Sequence, residues 1–254
     1  MTGPGEGSAQ GRGGTALRLA RLAVALVALS AVLASCSAST SPSARAVRRG
    51  DGTAVWAEAP GITPNWIFPF MSITNFSVAN TEQFQYLMYR PLYWFGSGSQ
   101  PVLNPALSLA YPPVYEGGNK VVVRLKEYRW SENGEPVDAT SVLFWMNLMH
   151  AEKANWAAYS PGQIPDNVVG VSVDSPAQLT FTLDHPYNQT WFTYNQLSQI
   201  TPLPRQWDRT NLGGSPGSGG CSGAAYGTND VACSAVYDFL SSQATVLASY
   251  ATSP

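Results

Sequence analysis

Residues 120–149 read KVVVRLKEYRWSENGEPVDATSVLFWMNLM, and three local patterns follow one another in them. Val121, Val123 and Leu125 alternate with Val122, Arg124 and Lys126, which predicts a strand with one wet face. Trp130 runs into Ser131-Glu132-Asn133-Gly134, a turn. Asp138 then opens a helix as its N-cap, because a carboxylate there accepts the free backbone N–H groups of the first turn. Val142, Trp145, Met146 and Met149 recur at i, i+3, i+4 and i+7, so this helix is expected to bury one stripe. Strand, turn and helix in succession predict the α/β class.

The pattern continues outward on both sides. Val169, Val171 and Val173, then Leu179, Phe181 and Leu183, alternate around Asp174-Ser175-Pro176-Ala177-Gln178, which reads as a β-hairpin. Residues 213–220 (GGSPGSGG) form a loop, and 235–250 are expected to be a last helix. Upstream, 53–57 (TAVWA) reads as a short strand entering a loop punctuated by Pro60, Gly61, Pro64 and Pro69. A helix is expected at about 80–89, with Phe84, Leu87 and Met88 on one face and Pro91 beyond its end. Trp130, Trp145, Trp191 and Trp207 are assigned to packing.

The chain has 254 residues, of which 30 are charged and 29 aromatic, so the charged share is 12%, against about a quarter in globular proteins. All the aromatics follow Val55, while the first 52 residues hold 8 of the charges. From Thr53 onward 8 basic and 14 acidic residues give 8 − 14 = −6, with the basic ones scattered. That argues against nucleic acid, which needs a basic face. With 44% apolar residues, the portion after the first 52 can bury a core and is not disordered.

Arg12, Arg18 and Arg21 precede an apolar run at 22–33, LAVALVALSAVL, followed directly by Ala34-Ser35-Cys36. The run is shorter than the roughly 20 residues that span a bilayer. A basic start, a short apolar centre and small residues at the exit make residues 1–35 a secretory signal peptide. Leu33-Ala34-Ser35-Cys36 resembles the bacterial lipobox, which would make Cys36 the lipidated first residue of the mature chain; the alternative is an ordinary signal with a chance cysteine. Residues 36–52 then read as a flexible tether. Cys221 and Cys233 remain, close together in a Gly/Ser-rich stretch of an exported chain, where a disulfide is the expected state. A metal site is the rival reading, but it needs more ligands, and His150 and His185 lie far off in sequence. No cofactor or metal is expected.

Catalysis finds little support. Gly213-Gly214-Ser215-Pro216-Gly217 matches the G-x-S-x-G pattern of hydrolases, yet Pro216 has no N–H to offer an oxyanion hole, and no apolar strand precedes the serine. Glu132 and Glu135 read as solvated turn residues. Gly96-Ser97-Gly98 lacks the lysine and helix signal of a phosphate loop.

Taken in order, these segments resemble the family 5 extracellular solute-binding proteins, the oligopeptide, dipeptide and nickel receptors of ABC importers. The family's strand and following "WsDG" turn and helix are matched by Val123-Arg124-Leu125-Lys126, Trp130-Ser131, Gly134, Pro136 and the helix from Asp138. Tyr89-Arg90-Pro91-Leu92, residues 101–110, the hairpin from Val168 and residues 200–207 resemble flanking family segments in the same order. Asn133 stands where the family has an acid, Thr140-Ser141 where it has an acidic pair, and the Tyr89 motif lacks a glutamate.

The resemblance implies a periplasmic-binding-protein-like (type II) α/β architecture of two lobes that close on a ligand. Residues 53–92 would start lobe I, 93–200 form a small α+β subdomain, and 201–254 return to lobe I. Because family members are far longer, the chain is expected to be a fragment with most of one lobe and the small subdomain. By position, Trp66, Phe70, Thr74, Asn75, Phe76 and Ser77 would line the cleft, with Tyr159 a further candidate; the competing reading puts Trp66, Phe68 and Phe70 in the core. The implied function is a monomeric, lipid-anchored receptor on the extracytoplasmic face of the bacterial cell membrane. It would pass a peptide or similar small solute to ABC permease subunits, without chemistry of its own. A surface lipoprotein acting through protein contact is the alternative, and an envelope hydrolase a distant third.

Overall fold

The computed structural model describes residues 64–96, 102–131 and 133–244, without the side chains of 82–84. The signal segment, Cys36, the tether, the strand expected at 53–57, Ser97 and Gly98, Glu132, and the last helix beyond Ala244 lie outside the described residues.

Among the described residues, β1 (Val114–Glu116), β2 (Lys120–Arg124), β3 (Val168–Ser175) and β4 (Gln178–Leu183) form one antiparallel sheet in the order β1-β2-β4-β3. Val121 pairs with Phe181 and Val123 with Leu179. Since side chains alternate faces along a strand, that register collects all four on one side, and each is fully buried. The β1–β2 turn passes through Gly117 and Gly118, whose φ angles of 57° and 86° suit residues without a Cβ. The hairpin β3–β4 lies where the alternation places it. Its two strands differ, however: Leu179, Phe181 and Leu183 are buried, while Val169 and Val173 are exposed, because the register shift between Val168 and Gly170 sets Val168, and not Val169, opposite Leu183, where it is buried.

The helix α2 (Ala139–Glu152) follows β2 and is capped as expected. The Asp138 Oδ1 accepts the N–H groups of Thr140 at 2.9 Å and Ser141 at 3.1 Å, and the Ser141 hydroxyl accepts the N–H of Asp138 at 3.3 Å. This is the reciprocal arrangement of a capping box, with serine at the third position. The single buried stripe is corrected: Leu143, Phe144, Asn147 and Leu148 are buried along with Val142, Trp145, Met146 and Met149. A helix covered all round lies inside the core rather than on its surface, and α2 packs against both β3 and the last helix, α4 (Asp230–Ala244).

The aromatic run at 66–70 enters the same core. Phe70 packs against Trp145 and Tyr237 at centroid distances of 5.4 and 5.3 Å, and Phe68 lies 6.1 Å from Trp207. The helix expected at 80–89 exists as α1, a π-helical stretch Ala79–Gln85 that continues as the α-turn Tyr86–Met88. Leu87 and Met88 are exposed rather than buried. The wider π winding breaks the 3.6-residue period on which the expected stripe depends. Among the described residues, β1 was not expected, nor was a helix α3 (Gln189–Asn195) capped by the Asn188 side chain, which accepts the N–H of Trp191 at 2.9 Å.

The glycine-rich segment is a loop fastened to this frame. Cys221 and Cys233 are disulfide-bonded, joining the loop to α4, and both are buried. The buried Asp208 carboxylate accepts the N–H groups of Cys221 at 3.1 Å and Ser222 at 2.9 Å and the Ser222 hydroxyl at 2.6 Å. Bonds from three donors compensate the burial of a carboxylate.

Candidate functional site

Five stretches of chain meet around an open hollow of about 470 Å³, the first being the segment before α1 with Pro69, Met71 and Phe76. Tyr86 and Tyr89 come from α1 and its end, Trp94 and Phe95 from the segment after Pro91, Trp156 from the segment after α2, and Ser198, Gln199 and Thr201 from the segment after α3; Trp145 of α2 adds to the lining. Backbone bonds hold these segments in place. The Leu92 N–H donates to the Ile200 carbonyl at 2.9 Å, and the Ala157 N–H to the Met71 carbonyl at 2.6 Å. Tyr93 also lines the hollow, and its hydroxyl donates to the Tyr111 carbonyl at 2.9 Å. Burial, and to a lesser degree Tyr115, pushes the Tyr93 phenol far above its ordinary range, so this tyrosine stays neutral.

The walls are aromatic. Tyr86 meets Trp94 edge to face at 5.3 Å, and Phe95 stacks on Tyr194 at 4.3 Å. Polar groups are few and partly committed: the Gln85 amide donates to the Phe68 carbonyl at 3.1 Å, and the Ser198 hydroxyl to the Tyr194 carbonyl at 2.6 Å. Two buried polar atoms in lining residues, Trp145 Nε1 and Thr81 Oγ1, have no protein hydrogen-bond partner. No described residue lining the hollow is Asp, Glu, Lys, Arg or His. Apolar walls with a small number of polar groups are the make-up of a small-molecule site.

Of the residues expected to line a cleft, Phe76 lines this hollow. Trp66 and Phe70 are buried in the core. Thr74, Asn75 and Ser77 belong to a turn closed by its own bonds: Ser72 to Thr74 at 2.7 Å, the Asn75 amide to Ser72 at 3.3 Å, and the Asn80 N–H to Ser77 at 3.1 Å. The Tyr159 hydroxyl donates to Asp166 at 2.8 Å, and Lys153 and the Gly162 N–H bind the same carboxylate. Burial works against the ionised Asp166, but these three bonds outweigh it and hold the carboxyl below its usual range. The bond to Asp166 in turn raises the Tyr159 phenol. That cluster fastens the loop after α2 and does not enter the hollow's lining. Tyr86, Trp94, Phe95 and Gln199 were not singled out from the sequence, because Gln199 lies about a hundred positions beyond the other three and no spacing rule connects them.

No protein-family model matches the chain. No curated protein matches it either. Among solved structures it is similar to Haemophilus influenzae OppA in complex with RPPGFSPFR, at 19% identity and a TM-score of 0.45, over 58% of this chain and 30% of that one. It is similar at 21% identity and a TM-score of 0.44 to the ABC transporter substrate binding protein CtaP from Listeria monocytogenes, over 57% of this chain and 27% of that one. NikA from Brucella suis, in complex with Fe(III)-EDTA, matches at 19% identity and a TM-score of 0.45, over 57% of this chain and 27% of that one. The chain thus spans less than a third of each of these proteins.

Proposed function

We propose that the chain is the N-terminal part of a family 5 solute-binding protein, a periplasmic-binding-protein-like (type II) receptor of an ABC importer. The reading holds that the chain is lipid-anchored through Cys36 on the extracytoplasmic face, captures a peptide or similar small solute as a monomer, and presents it to permease subunits without chemistry of its own. The observation that carries it is the aromatic hollow beside α1, whose lining includes Tyr89, Pro91 and Thr201 from two of the stretches that resemble family segments. Phe76, which lines that hollow, is the residue of the aromatic cleft segment best placed for contact; Thr74, Asn75, Ser77 and Tyr159 would act by shaping its surroundings.

Thermal-shift and native mass-spectrometric screening of the whole chain against an oligopeptide mixture tests the reading. Retention of defined peptides with a raised Tm is the expected result, and no retention from any mixture would overturn it. A surface protein acting by protein contact is the second reading, favoured by the exposed Ile73, Val78, Leu87 and Met88; specific capture of a protein partner without any solute would support it.

A further inference from the structure

α1 carries two pairs of residues spaced i, i+5, and each pair faces one side. Asn80 and Gln85 both reach the segment 65–68. The Asn80 side chain, 1% exposed, accepts the N–H groups of Asn65 at 2.8 Å and Trp66 at 3.2 Å, and donates to the Asn65 side chain and the Asn75 carbonyl, each at 2.8 Å. The Gln85 amide donates to the Phe68 carbonyl at 3.1 Å. Thr81 and Tyr86, the second pair, both line the hollow. In an α-helix, at 3.6 residues per turn, positions i and i+5 point about 140° away from each other. Hydrogen bonds from i to i+5, which define the π-helix, bring them to nearly the same side. Both pairs therefore depend on the π winding of Ala79–Gln85.

Local sequence does not favour that winding. Ala79, Glu82, Gln83 and Gln85 are good α-helix formers, and π-helical turns are rare and concentrate at functional sites. Tertiary bonds must impose it: those of the buried Asn80 fix one end of the stretch, and the Gln85 amide fastens the other.

We propose that Gln85 is a positioning residue, whose bond to the Phe68 carbonyl keeps α1 π-wound and thereby sets Tyr86 in the wall of the hollow. With that bond lost, α1 rewinds from Asn80 as an α-helix and Gln85 turns away from Phe68. Tyr86 then leaves the wall and gives up its edge contact with Trp94, now at 5.3 Å. The consequence for affinity rests on the solute-binding reading; the consequence for winding stands without it.

Gln85→Met, which keeps the side-chain length and removes the donor, tests this in the whole chain by NMR and by peptide retention. The unaltered chain should show contacts between the Hα of residue i and the amide of residue i+5 across Ala79–Gln85, and between the Tyr86 ring and the Trp94 indole. The variant should show i to i+4 contacts instead, lose the Tyr86–Trp94 contacts and hold peptides about tenfold more weakly, the effect of about one net hydrogen bond. An i to i+4 pattern in the unaltered chain would overturn the inference without any variant, and so would an i to i+5 pattern that survives Gln85→Met. Rewinding with unchanged peptide affinity would overturn the positioning role and leave solute capture standing. Absence of peptide binding by the unaltered chain would overturn the solute-binding reading, while the winding patterns would still decide whether Gln85 holds α1.

Discussion

The side-chain amide of Asn147 donates to the carbonyl of Cys221 at 2.9 Å, and the same amide group binds the Ala224 carbonyl at 3.0 Å and accepts the Gly227 N–H at 3.2 Å. One buried residue in the middle of α2 therefore satisfies three backbone groups of the glycine-rich loop. Replacing Asn147 with Ala leaves those groups without partners in a dry site, and each costs on the order of 1–3 kcal/mol when orphaned. Some relaxation of the loop is expected, so the net loss should be about 2–4 kcal/mol. Urea unfolding of Asn147→Ala checks it; a midpoint equal to that of the unaltered chain would mean that the loop does not depend on this anchor.

The same loop is tied a second time, to α4, by the Cys221–Cys233 disulfide. Removing the cross-link frees a short closed loop in the unfolded chain, for which the chain-entropy relation gives about 3 kcal/mol. The paired Cys221→Ser, Cys233→Ser variant should unfold at lower denaturant concentration by that amount. Because both sulfurs are buried, mild reductant should leave the native chain intact and act only after denaturant has opened it, which thiol labelling can follow.

Phe70 and Trp94 separate core from site. Phe70 is fully buried against Trp145 and Tyr237, so Phe70→Ala should cost about 3–5 kcal/mol. Trp94 is half-buried in the lining of the hollow, and Trp94→Ala should cost less stability and more solute affinity. Parallel unfolding and titration of the two variants checks this; equal stability loss would assign Trp94 to the core.

These two residues also show what was readable in the chain and what was not. Alternation placed β2 and the hairpin correctly, because a sheet with one buried face imposes a strict period of two on Val121, Val123, Phe181 and Leu179. Asp138 was legible because a capping carboxylate acts within four residues. The stripe on α2 was too narrow a reading, since a helix enclosed by sheet, α4 and loops has no wet side to reveal. α3 carries little signal of its own because Thr190, Trp191, Phe192 and Thr193 have modest helix propensity, and tertiary contacts decide their conformation. The hollow was beyond local reading altogether: its walls are joined by pairings such as Leu92 to Ile200, which no window of sequence contains.

Acid should loosen the loop that follows α2. The Asp166 carboxyl is held below its ordinary range in the folded chain by Lys153, Tyr159 and the Gly162 N–H, against the opposing effect of burial. A group whose folded pKa is depressed stabilises fully above its unfolded value, near 3.9, and loses that contribution as pH falls through the folded value. Lys153 is well exposed, so solvent screening keeps the effect small. The drop in Tm between about pH 5 and about pH 2.5 should be smaller in Asp166→Asn than in the unaltered chain. Identical drops would show that Asp166 titrates alike in the folded and unfolded states.

The register breaks in β3, between Val168 and Gly170 and between Val173 and Ser175, bear on self-association. An edge strand with exposed valines is a template for another chain's backbone, and irregularities of this kind spoil the template by bending the strand and interrupting its ladder. Only the short regular run from Gly170 to Val173 is left to receive a foreign strand. Val169, the more exposed of the two valines, falls inside one of the breaks, so the stickiest position on this edge is also the one least able to join a continuous intermolecular sheet.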